Sequence, residues 1–128
     1  MKKTYAPQDE EAPVSQIGAT LESLASTIDA RKNASAASYT HSLLTSDEAL
    51  VLGKVTEEAA EVVEAAGENN DDHLRYEAAD LIYHLMVVLA RHDISMDELA
   101  AELNMRMTDK ERPSGGLYLH DEFIQRGK

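Results

Sequence analysis

The chain has 128 residues, 43% hydrophobic but only 5% aromatic, with 24 acidic against 12 basic side chains and a net charge of −12. That length fits one domain whose core is built from Ala, Val, Leu, Ile and Met, a palette suited to helix packing. The charge argues against a nucleic-acid partner, the lack of cysteine excludes disulfides and thiolate metal sites, and no apolar run approaches the ~18 residues of a membrane span.

Residues 1–15 are polar, with Pro7, Pro13 and the run Asp9-Glu10-Glu11, and read as a mobile acidic arm. They lack the apolar stretch of a secretory signal, so the expected location is cytoplasmic. Ile17, Leu21, Leu24 and Ile28 then follow the period of an amphipathic helix. It is expected to run to about Lys32, where Arg31 and Lys32 suit the negative end of the dipole. After a small polar connector, Ser38-Tyr39-Thr40-His41 opens a segment of one or two helical turns containing Leu43 and Leu44. Ser46 or Asp47 is placed to cap the next helix, which carries Val51, Val55, Val62 and Ala66 and stops at Gly67. GENNDD is a turn, and Asp71 or Asp72 is expected to cap a helix running to about Arg91. Ser95 and Glu98 form an S-x-x-E capping box for a last helix through Met96, Leu99 and Leu103. Past Met107 the pattern fails at Pro113, Gly115 and Gly116. The prediction is an all-α bundle of four principal helices over residues 16–107, completed by dimerisation, with residues 108–128 as a C-terminal tail.

The two central helices carry the chemistry. Glu57, Glu58 and Glu61 lie within about 100° of arc on the first, and Glu77 and Asp80 are about 60° apart on the second. Packed antiparallel, these helices bring five carboxylates toward one small volume. Such charges repel unless a cation sits among them, and oxygen-only ligands suit Mg²⁺ or Mn²⁺ rather than zinc. An EExxE run by itself is ordinarily a solvated helix face. Here, however, Leu74, Leu81, Leu85 and Val88 fall within roughly 80° of Glu77, and charges rarely border a core without a partner.

The stretch from about Leu21 to Arg106 resembles phosphoribosyl-ATP pyrophosphohydrolase of histidine biosynthesis and, more broadly, the all-α MazG-type nucleoside triphosphate pyrophosphohydrolases. The matching pieces are SYTHSLL (38–44), KVTEEAAEVVEA (54–65), YEAADLIYHLMVVLA (76–90) and ELNMR (102–106). The EExxE and ExxD pair is superfamily-wide, whereas the SYT segment, the Lys three before the double Glu and ADLIYH point to the histidine-pathway branch. The resemblance implies hydrolysis of phosphoribosyl-ATP to phosphoribosyl-AMP and pyrophosphate by a Mg²⁺-dependent homodimer. In many organisms this domain is joined to a cyclohydrolase that uses cysteine-bound zinc, and a chain without cysteine is expected to carry the pyrophosphohydrolase half alone. The sequence departs from the family where Thr56 stands in place of a common Gly, and between the SYT segment and the Lys, where the family commonly has a Gly and this region reads TSDEALVLG (45–53) with its Gly only at position 53.

By motif position the resemblance makes Glu58, Glu61, Glu77 and Asp80 the metal ligands, with Glu57 a fifth ligand or the base that orients the attacking water. Lys54, one turn earlier, is a candidate phosphate contact whose alternative is an ion pair within its helix. Arg31 and Lys32 are further phosphate candidates, and Ser38, Tyr39 and Thr40 offer hydroxyls and an aromatic face to substrate. His84 shares the face of Glu77 and Asp80 and is expected either to hold a carboxylate in place or to be structural. Tyr83 reads as packing, and His41, His73, His92 and His120 show no ligand spacing. Two other functions fit the same residues: a house-cleaning nucleoside triphosphate pyrophosphohydrolase with the same metal centre, and a non-catalytic helical dimerisation module.

Overall fold

The computed structural model describes residues 15–33 and 38–116. The arm predicted for residues 1–15 lies, except for its last residue, outside that range, as does the tail beyond residue 116. The described residues are all-helical: α1 (Ile17–Ala30), a 3₁₀ turn (Arg31–Asn33), α2 (Tyr39–Thr45), α3 (Glu48–Gly67), α4 (Asp71–Arg91) and α5 (Met96–Met105). No helix among them is long and apolar enough to cross a membrane.

Local chemistry accounts for most of the boundaries. The α1 pattern ends two residues earlier than expected, because the chain tightens at Arg31 into a 3₁₀ turn, a common way to finish a helix. Ser38 caps α2, its hydroxyl oxygen accepting from the His41 backbone N–H at 3.0 Å. The other end of α2 is closed by Arg91, whose guanidinium donates to the carbonyls of Leu43 (2.8 Å) and Ser46 (2.7 Å). Those carbonyls have no partner within a helix that stops there, so this side chain of α4 anchors the C-terminal end of α2. Of the two caps offered for α3, Asp47 is used, accepting from the Ala49 N–H at 3.0 Å. Thr56 does not interrupt this helix: its hydroxyl donates back to the Leu52 carbonyl at 3.2 Å.

The turn between α3 and α4 corrects one expectation, the cap of α4. The helix α3 stops at Gly67 as expected, and the left-handed residue beyond it is Asn69, at φ 56°. Its N–H reaches the Ala66 carbonyl at 3.2 Å while that of Asn70 reaches Ala65 at 3.1 Å, the paired bonds of a Schellman ending. Asn70, not Asp71 or Asp72, then caps α4 by accepting from the His73 N–H at 3.1 Å, and the two aspartates occupy the first turn, where their charge meets the positive end of the dipole. The same ending recurs after α4, with Asp93 at φ 55° and Ile94 N–H bonded to the Leu89 carbonyl at 3.0 Å. Ser95 and Glu98 form the predicted reciprocal box at the start of α5.

The core joins Ile28 of α1, Leu43 of α2, Val51 of α3, and Met86 and Val87 of α4. Burying each large aliphatic side chain contributes about 1.5–3 kcal/mol. The face of α4 differs from the predicted stripe: Leu85 is 42% exposed, while His84, Met86 and Val87 are buried. The reason is tertiary. Both α1 and α2 pack on α4, and the core they share with it takes in Met86 and Val87, so the helix buries the flank beyond the stripe. The most extensive helix pairing is α3 against α4. It forms an antiparallel hairpin, since a short turn leaves no room to reverse again.

Candidate metal centre on the central hairpin

Across the hairpin, Glu58 of α3 and Glu77 of α4 are buried, at 8% and 7% exposure. One carboxylate oxygen each from Glu58, Glu77 and Asp80 come within 4.8 Å of one another. At such separations two like charges repel by about 4 kcal/mol even at an effective dielectric of 20. Glu58 shows the effect. Its carboxyl is pushed above the usual carboxylate range, first because its protonated form hydrogen-bonds to Glu77, then by burial and by the charges of Asp80 and Glu77, with His84 opposing. Oε2 of Glu77 is buried with no hydrogen-bond partner among the described residues. An orphaned buried anionic oxygen is costly unless something positive meets it. The residues therefore fit a hard divalent ion: oxygen donors, clustered, and short of partners without one.

Behind the carboxylates lies a hydrogen-bonded tie between α4 and α2. His84 is 4% exposed. Its Nδ1 lies 2.9 Å from the Asp80 backbone carbonyl, which can only accept, so Nδ1 carries the proton. In the neutral ring Nε2 is then an acceptor, and the Tyr39 hydroxyl, 2.8 Å away, donates to it. The same Nδ1 lies 3.6 Å from Oε1 of Glu58. Burial raises the Tyr39 hydroxyl above its ordinary pKa, with the Lys54 ammonium opposing, which favours the donor form the arrangement needs. Tyr83 completes the tie. Its hydroxyl hydrogen-bonds to Thr40, and its ring stands edge-on to His84 and stacks on Tyr39.

A sequence model of the phosphoribosyl-ATP pyrophosphohydrolase family matches residues 21–107, a span that contains the carboxylates and the whole tie. The chain belongs to this family. It is similar to proteins named phosphoribosyl-ATP pyrophosphatase from Nitrosomonas eutropha, 47% identical over 87 residues (67% of this chain, 74% of that protein). One from Rhodobacter capsulatus is 45% identical over 87 residues (67% and 84%). Another from Limosilactobacillus fermentum is 44% identical over 98 residues (73% and 92%).

In this pyrophosphohydrolase family member the predicted residues fall into three places. Glu58, Glu77 and Asp80 converge, and Glu61 joins Glu77 in an adjoining group. Glu57 belongs to neither group; its side chain is 60% exposed and pairs with Lys54 at 3.9 Å. Arg31 and Lys32 lie elsewhere. Lys32 pairs with Asp29 at 3.4 Å and Asp93 at 3.1 Å, the Asp93 hydrogen bond being the main reason its pKa is raised. It lines a cavity of about 410 Å³ between α1, α4 and α5, whose α4 lining residues Met86 and Ala90 stand about 9 and 15 Å along the helix from Asp80 at 1.5 Å per residue. Ser38 and Thr40 have their hydroxyls engaged in holding α2.

Two residues of the site escaped the sequence reading. Tyr83, expected only to pack, bonds across to α2. His73 was left unassigned, yet its Nε2 lies 3.5 Å from both Glu61 and Glu77. Its signal was present, since it stands four residues before Glu77, one helical turn.

Proposed function

We propose that the chain hydrolyses phosphoribosyl-ATP to phosphoribosyl-AMP and pyrophosphate, the second step of histidine biosynthesis, as a cytoplasmic Mg²⁺-dependent homodimer in which Mn²⁺ can substitute. The observation that carries this is the buried Glu58–Glu77–Asp80 set, with its unpartnered Glu77 oxygen, in a chain of this family. The catalytic unit is residues 16–107.

Water adds across the phosphoanhydride, one P–O bond breaks, and pyrophosphate leaves. Glu58, Glu61, Glu77 and Asp80 would hold the divalent metal, which would neutralise phosphoryl oxygens and acidify water. The side chains do the positioning. The His84–Tyr39 tie keeps Asp80 and Glu58 in register. Glu57, at the solvent edge, orients the attacking water, and Lys54 beside it meets a phosphate of the incoming substrate.

The test is pyrophosphate release from phosphoribosyl-ATP with Mg²⁺, beside ATP, dUTP and dCTP at equal concentration. Turnover of phosphoribosyl-ATP far above the others is expected. Glu61→Gln and Asp80→Asn should each cut it by more than about 100-fold, beyond the 10–100-fold typical of partners one step removed from a metal, and Asp80→Asn should abolish the Mg²⁺-dependent rise in Tm. Preference for a deoxynucleotide would overturn the substrate while keeping the metal centre. A chain that no divalent ion stabilises would point to the non-catalytic helical module.

A further inference from the structure

His73 belongs to no part of the mechanism above, and its surroundings are unusual for an idle histidine. Its Nε2 lies 3.5 Å from Oε2 of Glu61 and 3.5 Å from Oε1 of Glu77. Both separations exceed a normal hydrogen bond, about 2.7–3.2 Å, so the imidazole is not simply donating to either oxygen. They match instead the edge between two ligands of one ion. With bonds near 2.1 Å to a tetrahedral ion, neighbouring donors stand about 3.4 Å apart. Glu61, His73 and Glu77 offer three such atoms, all within 4.8 Å of one another. The histidine is held in place from its own backbone, whose N–H is taken by the Asn70 cap at 3.1 Å. Glu77 supplies an independent pointer. It is 7% exposed, its Oε1 faces His73, and its Oε2 has no partner.

We propose that Glu61, His73 and Glu77 form a second cation position, sharing Glu77 with the Glu58–Glu77–Asp80 position, and that this position selects a borderline transition ion of the Co²⁺–Zn²⁺ class over Mg²⁺. The proposal rests on the reading that the hairpin carboxylates hold a cation. Selectivity follows from the donors. Hard Mg²⁺ takes oxygen ligands and retains its waters, whereas imidazole nitrogen suits the softer ions. One carboxylate serving two ions is a construction that two-metal hydrolytic centres need, because both ions must address the same phosphoryl group. The position is thus a regulatory or activating one, filled according to which ion is present.

The experiment is calorimetric titration of the full-length, metal-stripped protein with Co²⁺ and, separately, Mg²⁺. Pulsed electron paramagnetic resonance of the protein loaded with one equivalent of Cu²⁺, an ion that imidazole also suits, supplies a direct readout of nitrogen coordination. The wild type should bind two Co²⁺ per chain and show a ¹⁴N modulation. His73→Ala and His73→Gln should lose the modulation and one Co²⁺, or weaken it by about tenfold or more, with Mg²⁺ affinity unchanged. Asp80→Asn should keep the ¹⁴N signal. Modulation that survives in both His73 variants, or a single Co²⁺ per chain in wild type and variants alike, would overturn the second position while leaving the first intact. So would tighter binding of every ion by His73→Ala, because His73 would then be a protonated clamp competing with metal. A wild-type chain that binds no divalent ion overturns the parent reading as well.

Discussion

Glu58 is the residue at which stability and function pull apart. Its carboxyl is raised above the ordinary range because Glu77, burial and Asp80 all disfavour its charge. The folded chain therefore holds that proton more tightly than the unfolded chain does. Stability is intact below the ordinary carboxylate pKa, is lost as pH rises through the window up to the raised folded value, and stays lost above it. Without metal, Glu58→Gln should melt higher than wild type at pH 7, by roughly 4 °C for each kcal/mol of repulsion relieved. The difference should close as the pH is lowered through that window. Saturating Mg²⁺ should reverse the order, because the wild-type carboxylate is the better ligand. Thermal melts at several pH values, with and without metal, decide it; equal melting at every pH would show that Glu58 carries no strain. The carboxylates were legible in the sequence because their spacing along each helix is a local property. His73 was less so: its four-residue step to Glu77 is local, but its approach to Glu61 depends on how the two helices are set against each other. Tyr83 bonds to Thr40, 43 residues away in the chain, and no periodicity carries that information.

The hairpin is set by its turn. Asn69 at φ 56° lets Asn70 both close α3, through its N–H to Ala65, and open α4, through its side chain to His73. A residue with a Cβ but no short polar side chain pays about 1–2 kcal/mol in that conformation, whereas glycine has no such penalty. Asn69→Ala should therefore destabilise the chain by about 1 kcal/mol in urea unfolding, and Asn69→Gly should be neutral or stabilising. If both variants unfold alike, the left-handed turn is not what limits the hairpin. Helix existence and order were readable because the apolar period and the caps at Asp47 and Ser95 are local patterns. The stops at Gly67 and Arg91 were readable as well. The left-handed residues after them, Asn69 and Asp93, were not, because which polar residue turns left-handed depends on the packing that ends the helix. The rotation of α4 was misread at Leu85 for the same kind of reason, since it is fixed by the packing of α1 and α2 upon it.

At the scale of the whole molecule, the two longest helices leave apolar side chains unpartnered. Leu52 and Val63 of α3 are 45% and 73% exposed, and Ile82 and Leu85 of α4 are 43% and 42% exposed. Leu52 and Val63 are eleven residues apart, three turns along one stripe, and Ile82 and Leu85 are adjacent on the next helix by the i, i+3 rule. A paired apolar stripe on one hairpin suits the homodimer proposed above, because a two-fold axis would set the same patch against itself. The net charge of −12 works against association, so the apolar contact must supply the attraction and added salt should tighten the dimer by screening. Ile82→Glu with Leu85→Glu places four new carboxylates at that contact per dimer. Sedimentation velocity should show wild type as a dimer at micromolar concentration and the double variant as a helical monomer. Wild type sedimenting as a monomer throughout that range would rule the assembly out. The monomeric variant separates assembly from chemistry. Glu58, Glu77 and Asp80 all come from one hairpin, so its Mg²⁺ stoichiometry per chain should equal that of wild type, whatever happens to turnover.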